Sequence, residues 1–188
     1  MAPVVDKFIH IIRENDLRPE DIEKVEYTPH PVTFNRMWQE NNLRTDADFG
    51  FHGPYLIACA AHRMKSIDFQ NPDVREDPRI REFIKKVTVL PSPHDDFAPA
   101  MLQDPRAMVM RVTVSGKGKT FTETSRYPEW SWGPDEFRAK DEELIEKFTD
   151  AVSDILPPKK AAAAAAALFK LDEYKDINRV TGMLVPQL

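Results

Sequence analysis

Apolar and polar positions along this chain follow two periods, and the switches between them mark its elements. Val4, Val5, Phe8, Ile9, Ile11 and Ile12 recur at helical spacing with Asp6, Lys7, Arg13 and Glu14 between them, which predicts an amphipathic helix over roughly residues 3–15. After a turn at Asp16 to Asp21, the mixed apolar and charged run Ile22 to Tyr27 fits a half-buried strand. Pro29 and Pro31 break any element between Thr28 and Leu43, where Phe34, Met37 and Trp38 offer an apolar cluster. Leu56-Ile57-Ala58-Cys59-Ala60-Ala61 is apolar on every side, so a helix over about 54–64 belongs at the centre of the fold. Ser66 to Asp77 reads as a loop. Asp77-Pro78 supplies an N-cap and a first-turn proline for a short helix that buries Ile80, Phe83 and Ile84, and Lys86 to Leu90 is the next strand.

Pro91 to Arg106 carries four prolines and no period, as a surface connection does. Met108, Met110, Val112 and Val114 then alternate with Val109, Arg111 and Thr113, and Ser115-Gly116-Lys117-Gly118 turns the chain into Lys119 to Ser125, a hairpin. From Asp141 the period is helical: about 141–155, then Lys160 to Leu171 with seven consecutive alanines, then about 173–184. Leu168, Leu171, Tyr174, Ile177, Val180 and Leu184 form a stripe along the last two. The order gives an α+β class, a small mixed or antiparallel sheet of three or four strands with packed helices over 1–140, followed by a helical extension over 141–188.

Composition narrows the function classes. With 41% hydrophobic and 30% charged residues among 188, the chain is a globular composition with no membrane segment. A net charge of −5 and the lack of a dense Lys/Arg cluster speak against a nucleic-acid partner. Cys59 is the one cysteine, so an internal disulfide and a cysteine-rich metal site are both impossible. The opening residues carry no long apolar run of a signal peptide, and the expected compartment is the cytoplasm. With only six glycines and no phosphate loop or dinucleotide fingerprint, no cofactor is expected.

The candidate chemistry sits at Thr45 to Tyr55. This stretch reads as a loop that bends at Gly50 and Gly53 and enters the central helix with Pro54 near its first position, leaving Tyr55 at a helix N-terminus where free N–H groups favour a carboxylate or phosphate. Tyr55 has two readings. A phenol there can donate to a substrate carboxylate or deliver a proton; equally, it can be a buried tyrosine with a satisfied hydroxyl. His52 and Gly53 are the expected substrate contacts, His52 as a polar or acid–base group and Gly53 through its backbone, and a loop histidine can also be simply structural. His30, His62 and His94 have no ligand spacing, and Asp95-Asp96 after His94 reads as a solvated loop, so no metal site is expected.

Thr45, Asp48, Phe51, Pro54 and Tyr55, with the small-residue helix after them, resemble the second domain of the MmgE/PrpD superfamily of 2-methylcitrate dehydratases and cis-aconitate decarboxylases, whose pattern is Pro-x-Thr-x-x-Asp-Ala-x-Phe-Ser-x-Pro-Tyr. Leu43, Phe49 and His52 stand where that pattern has proline, alanine and serine. Leu17-x-Pro19-Glu20-Asp21-Ile22, Asp77-Pro78-x-Ile80 with Lys86-Val87-x-Val89, Tyr127-Pro128 and Leu144-x-x-Lys147-Phe148 resemble further family landmarks, while the segment with Trp130 and Trp132 matches little. The resemblance implies a lid-type α+β domain, a small di- or tricarboxylate substrate, and an addition or loss of water or a loss of CO2. It also implies that most catalytic histidines and lysines lie on a helical domain. Two roles follow: the small subunit of a split lyase that supplies Tyr55 to a separate helical-domain subunit in a hetero-oligomer, inactive alone; or a noncatalytic assembly subunit of a larger complex.

Overall fold

The computed structural model describes residues 2–30, 43–91, 99, 102–104, 107–127, 135 and 138–186. The cluster expected at Phe34, Met37 and Trp38, the His94-Asp95-Asp96 run and the Trp130/Trp132 segment lie outside them. The chain forms two compact units, residues 1–138 and 139–188.

The first unit is α+β. Helix α1 (Ala2–Glu14) buries Val4, Phe8, Ile11 and Ile12, the stripe its sequence period draws. A 3-10 turn, Pro19–Asp21, leads into strand β1 (Ile22–Thr28). The stretch expected to be a loop is in part a helix, α2 (Asp46–Phe51). The Thr45 hydroxyl accepts from the Asp48 N–H at 3.2 Å, and the Asp48 carboxylate accepts from the Thr45 N–H at 2.8 Å. Such a reciprocal box satisfies two of the N–H groups a helix start leaves open, which is why so short a helix forms across two phenylalanines and a glycine. Helix α3 (Gly53–Ala61) follows at once. The expected loop from 66 to 77 is likewise ordered, as a 3-10 turn (Ser66–Gln70) and helix α4 (Pro72–Glu76), whose start is capped by the Asn71 side chain. Asp77 caps α5 (Pro78–Ile84) by accepting from the Arg79 N–H at 2.8 Å.

Strands β2 (Val87–Val89), β3 (Met110–Gly116) and β4 (Lys119–Ser125) complete a mixed sheet in the order β2-β1-β3-β4. β2 runs parallel to β1, with Val25 opposite Val87, and the other two pairings are antiparallel. The hairpin turn is made by Lys117 (φ 51°) and Gly118 (φ 68°). Two left-handed residues in a two-residue loop match the twist of the flanking strands. Gly116 is required for another reason, since a Cβ there would lie 2.5 Å from the Asp21 carbonyl oxygen.

α1 packs on β3 and β4, and α3 packs against both α1 and α5. The buried side chains of these elements, Phe8, Val25, Tyr27, Ile57, Ile80, Val112 and Val114 among them, form one core. Away from it the sheet carries hydroxyls, with Thr113 paired to Thr122 at 3.0 Å and Ser115 to Thr120 at 3.3 Å. This one-sided burial is the usual state of an antiparallel sheet and explains the alternation of β3.

The second unit contains α6 (Asp141–Ala151), α7 (Pro158–Leu168), a 3-10 turn (Leu171–Glu173), α8 (Asn178–Thr181) and a closing 3-10 turn (Gly182–Leu184). Ala161, Ala164, Ala165 and Ala167 are buried in α7, which packs against α6, α8 and the closing turn. The helix expected over 173–184 is interrupted. Tyr174 is extended, and the chain restarts where the Asp176 carboxylate accepts from the Asn178 N–H at 3.0 Å. The expected stripe is therefore split: Val180 is buried, whereas Leu168, Leu171 and Ile177 are exposed. Among the described residues no helix is long and apolar enough to cross a membrane.

Candidate functional site

His52 ends α2 and begins α3. Its backbone is extended, and its Nδ1 accepts from the Tyr55 N–H at 3.2 Å, so the imidazole acts as the N-cap. Capping with a ring nitrogen requires a free lone pair. Burial supplies the condition, holding the His52 pKa down to about 4, so the ring is neutral at ordinary pH. The side chain is fully buried, and its Nε2 has no hydrogen-bond partner among the described residues. Gly53 and Pro54, the first two residues of α3, are buried as well. The N-terminus of this helix is thus plugged by His52, with little open N–H for an anion.

Tyr55 is buried, and its hydroxyl donates to the Phe69 carbonyl at 2.7 Å. That bond ties α3 to the 3-10 turn before α4. The ring meets Phe49 of α2 edge-on, with centroids 4.9 Å apart. Burial raises the phenol above its usual range, and Cys59, one turn along, adds to the effect. The group is therefore a neutral hydrogen-bond donor and no base near neutral pH.

Tyr55 also lines a pocket of about 300 Å³ together with Leu43, Phe49, Arg75, Arg81, Ile84 and Lys85. The volume suits a small metabolite, and the lining combines hydrocarbon side chains with three cations. Arg75 is the fixed member. Its guanidinium lies over the Phe49 ring at 4.8 Å, donates from Nη1 to Asp46 at 2.6 Å, and donates from Nη2 to the Gln70 carbonyl and side-chain oxygens at 2.7 and 3.0 Å. Its Nε is buried with no partner among the described residues. Arg81 is paired with Glu76, and Lys85 with Glu82, both on the exposed surface. The Arg75 guanidinium, stacked on an aromatic ring, presents a planar fork suited to a carboxylate, and the Lys85 ammonium at the end of α5 adds a point charge.

The pocket brings together Tyr55 and three cations, and neither His52 nor Gly53 is among its lining residues. The cations were not legible as a site in the sequence, because Arg75, Arg81 and Lys85 alternate with Glu76 and Glu82 and read as a solvated face. One signal could have found two of them: if α5 is extended to its cap, Arg81, Ile84 and Lys85 share one side at i, i+3 and i+4. Among the described residues no cluster of three or more histidine, cysteine or acidic side chains could hold a metal ion.

Residues 1–173 match the family model of the MmgE/PrpD C-terminal domain. No curated protein matches the chain.

Proposed function

The chain belongs to the MmgE/PrpD C-terminal domain family, and from that premise we propose that it is the lid-type part of a dehydratase or decarboxylase acting on a small di- or tricarboxylate. In this reading it is a small subunit that works with a separate helical-domain subunit. The observation that carries the reading is the pocket that Tyr55, the family-pattern tyrosine, lines together with Arg75, Arg81 and Lys85.

Removing water or CO2 from such a substrate needs a group that takes or gives a proton at carbon and a second group for the leaving oxygen or carboxylate, with the remaining carboxylates held still. Cations at the pocket can hold carboxylates and offset the negative charge that builds as a proton leaves the adjacent carbon. Tyr55 has one O–H, which it gives to the Phe69 carbonyl until a substrate carboxylate takes it over, and it cannot serve as the base while its phenol is neutral. Base and leaving-group acid are assigned to the helical subunit. Docking to it is supported by the apolar residues left exposed in the second unit, where Ile155, Phe169, Ile177 and Val185 are 46–59% exposed.

The second reading, a noncatalytic assembly subunit, draws on one observation: the Tyr55 hydroxyl is already spent on the Phe69 carbonyl. Replacing Tyr55 with phenylalanine in the assembled complex separates the two. The catalytic reading expects turnover of 2-methylcitrate or cis-aconitate to fall tenfold or more; unchanged turnover with a lowered melting temperature assigns the tyrosine to structure.

A further inference from the structure

Every cation at the pocket is paired within the chain to a carboxylate that is itself mostly in water. The Asp46 side chain is 82% exposed, that of Glu76 71% and that of Glu82 70%, whereas Arg75 is only 13% exposed. Exposed ion pairs contribute little, because water screens them and two side chains lose rotamer freedom to form them. These carboxylates are therefore weak, separately tethered occupants. A single molecule carrying two or three carboxylates on a short hydrocarbon spine brings its charges already joined, so its second contact forms at high effective concentration. Its spine finds Leu43, Phe49 and Ile84.

We propose that the pocket is a polycarboxylate clamp held shut by the chain's own acids. Arg75 is the anchor, Arg81 and Lys85 are the outer arms, and the ligand's carboxylates displace Asp46, Glu76 and Glu82 from them. Arg75 suits the anchor role because the Phe49 ring and the Gln70 oxygens hold its guanidinium while Asp46 alone is exchanged. The substrate class is that of the function proposed above, on which this inference rests, but binding by this chain is measurable without turnover. Asp46 thereby acquires a role, since it competes with the ligand for the anchor.

The test is titration of the 188-residue chain with tricarballylate, followed by isothermal calorimetry and by methyl and amide NMR, with propionate and sulfate as comparison probes. The expected result is binding at least tenfold tighter for tricarballylate than for propionate or sulfate, with resonances of Leu43, Phe49, Tyr55 and Ile84 shifting. Arg75→Gln should weaken it tenfold or more, Arg81→Gln and Lys85→Gln each threefold or more, and Asp46→Asn should strengthen it about twofold. Arg81 and Lys85 are exposed, so their variants carry the test should Arg75→Gln lose its fold. No binding by the folded chain, equal affinity for the three probes, or indifference to Arg81→Gln and Lys85→Gln overturns the clamp. If the assembled complex turns over substrate while those two variants leave its KM unchanged, the clamp falls and the lyase reading stands; specific binding with no turnover by the complex does the reverse.

Discussion

At the scale of single residues, Tyr55 and His52 form one device. His52 stands where the family pattern has serine, and serine is itself a good N-cap; the imidazole Nδ1 fills the same office for the Tyr55 N–H. The substitution keeps the helix start and adds a titratable group. With a pKa of about 4 in the fold against an ordinary 6.5, the folded ring refuses a proton that the unfolded chain accepts. The neutral-ring contribution is thus complete above about pH 6.5 and is lost as pH falls toward 4, an effect on the order of 3 kcal/mol at about 1.4 kcal/mol per pKa unit. His52→Asn keeps a capping oxygen and removes the titration, so urea unfolding at pH 7 and pH 4.5 should show a smaller difference for the variant than for the parent chain. Equal differences would mean that other groups carry the acid sensitivity. Tyr55→Phe should cost about 1 kcal/mol by orphaning the Phe69 carbonyl. The sequence left two readings open, a hydroxyl free for substrate and a buried one already satisfied; the partner that satisfies it lies fourteen residues downstream, beyond the reach of any local pattern.

At the scale of elements, the short helices around the pocket depend on side-chain caps more than on propensity. Thr45→Ala removes half of the box that starts α2 and should lower stability by about 1 kcal/mol. Because α2 carries Phe49 and Asp46, the same change should loosen Arg75, which NMR relaxation of its Nε would report. The hairpin offers a paired comparison. Gly118→Ala costs about 1 kcal/mol for its left-handed backbone with open space around it, whereas Gly116→Ala pushes a methyl onto the Asp21 carbonyl and should cost about 2 kcal/mol or more. Equal losses in a denaturant titration would contradict the crowding at Gly116.

These elements also set what was legible in the sequence. α1, β1, α5 and the β3–β4 hairpin were readable because each buries one face against the core and repeats its apolar residues accordingly, and α3 because it is apolar on every side and buried almost throughout. α2 and α4 were not, because they are five or six residues long with no fully buried side chain and are fixed by Thr45, Asp48 and Asn71. The capping signature was present at Thr45-x-x-Asp48, yet Gly50 and Gly53 outweighed it. Tyr55 was recognisable through its family pattern. Arg75, Arg81 and Lys85 join it only through the packing of α2, α3, α4 and α5; spacing along the chain groups Arg81 with Lys85 but links neither to Arg75 nor to Tyr55.

At the scale of the molecule, the first unit holds a closed core and the second holds an alanine-rich helix against short partners. Alanine allows close approach but removes little area from water, at about 25 cal/mol per Å². With Leu168, Phe169, Leu171 and Ile177 exposed there, stability gained from association should be large for the second unit. Hydrogen exchange of residues 158–184 should slow on adding the helical subunit, with α1 and β3 little changed; uniform behaviour would speak against docking through this unit. The central claim is catalytic partnership, and one measurement addresses it most directly: turnover of a panel including 2-methylcitrate and cis-aconitate by this chain alone, by the helical-domain subunit alone, and by the two together, with the size of each species determined in parallel. Only the mixture, as a hetero-oligomer, should be active. A monodisperse active monomer of this chain, or a helical subunit equally active without it, would rule out a split lyase.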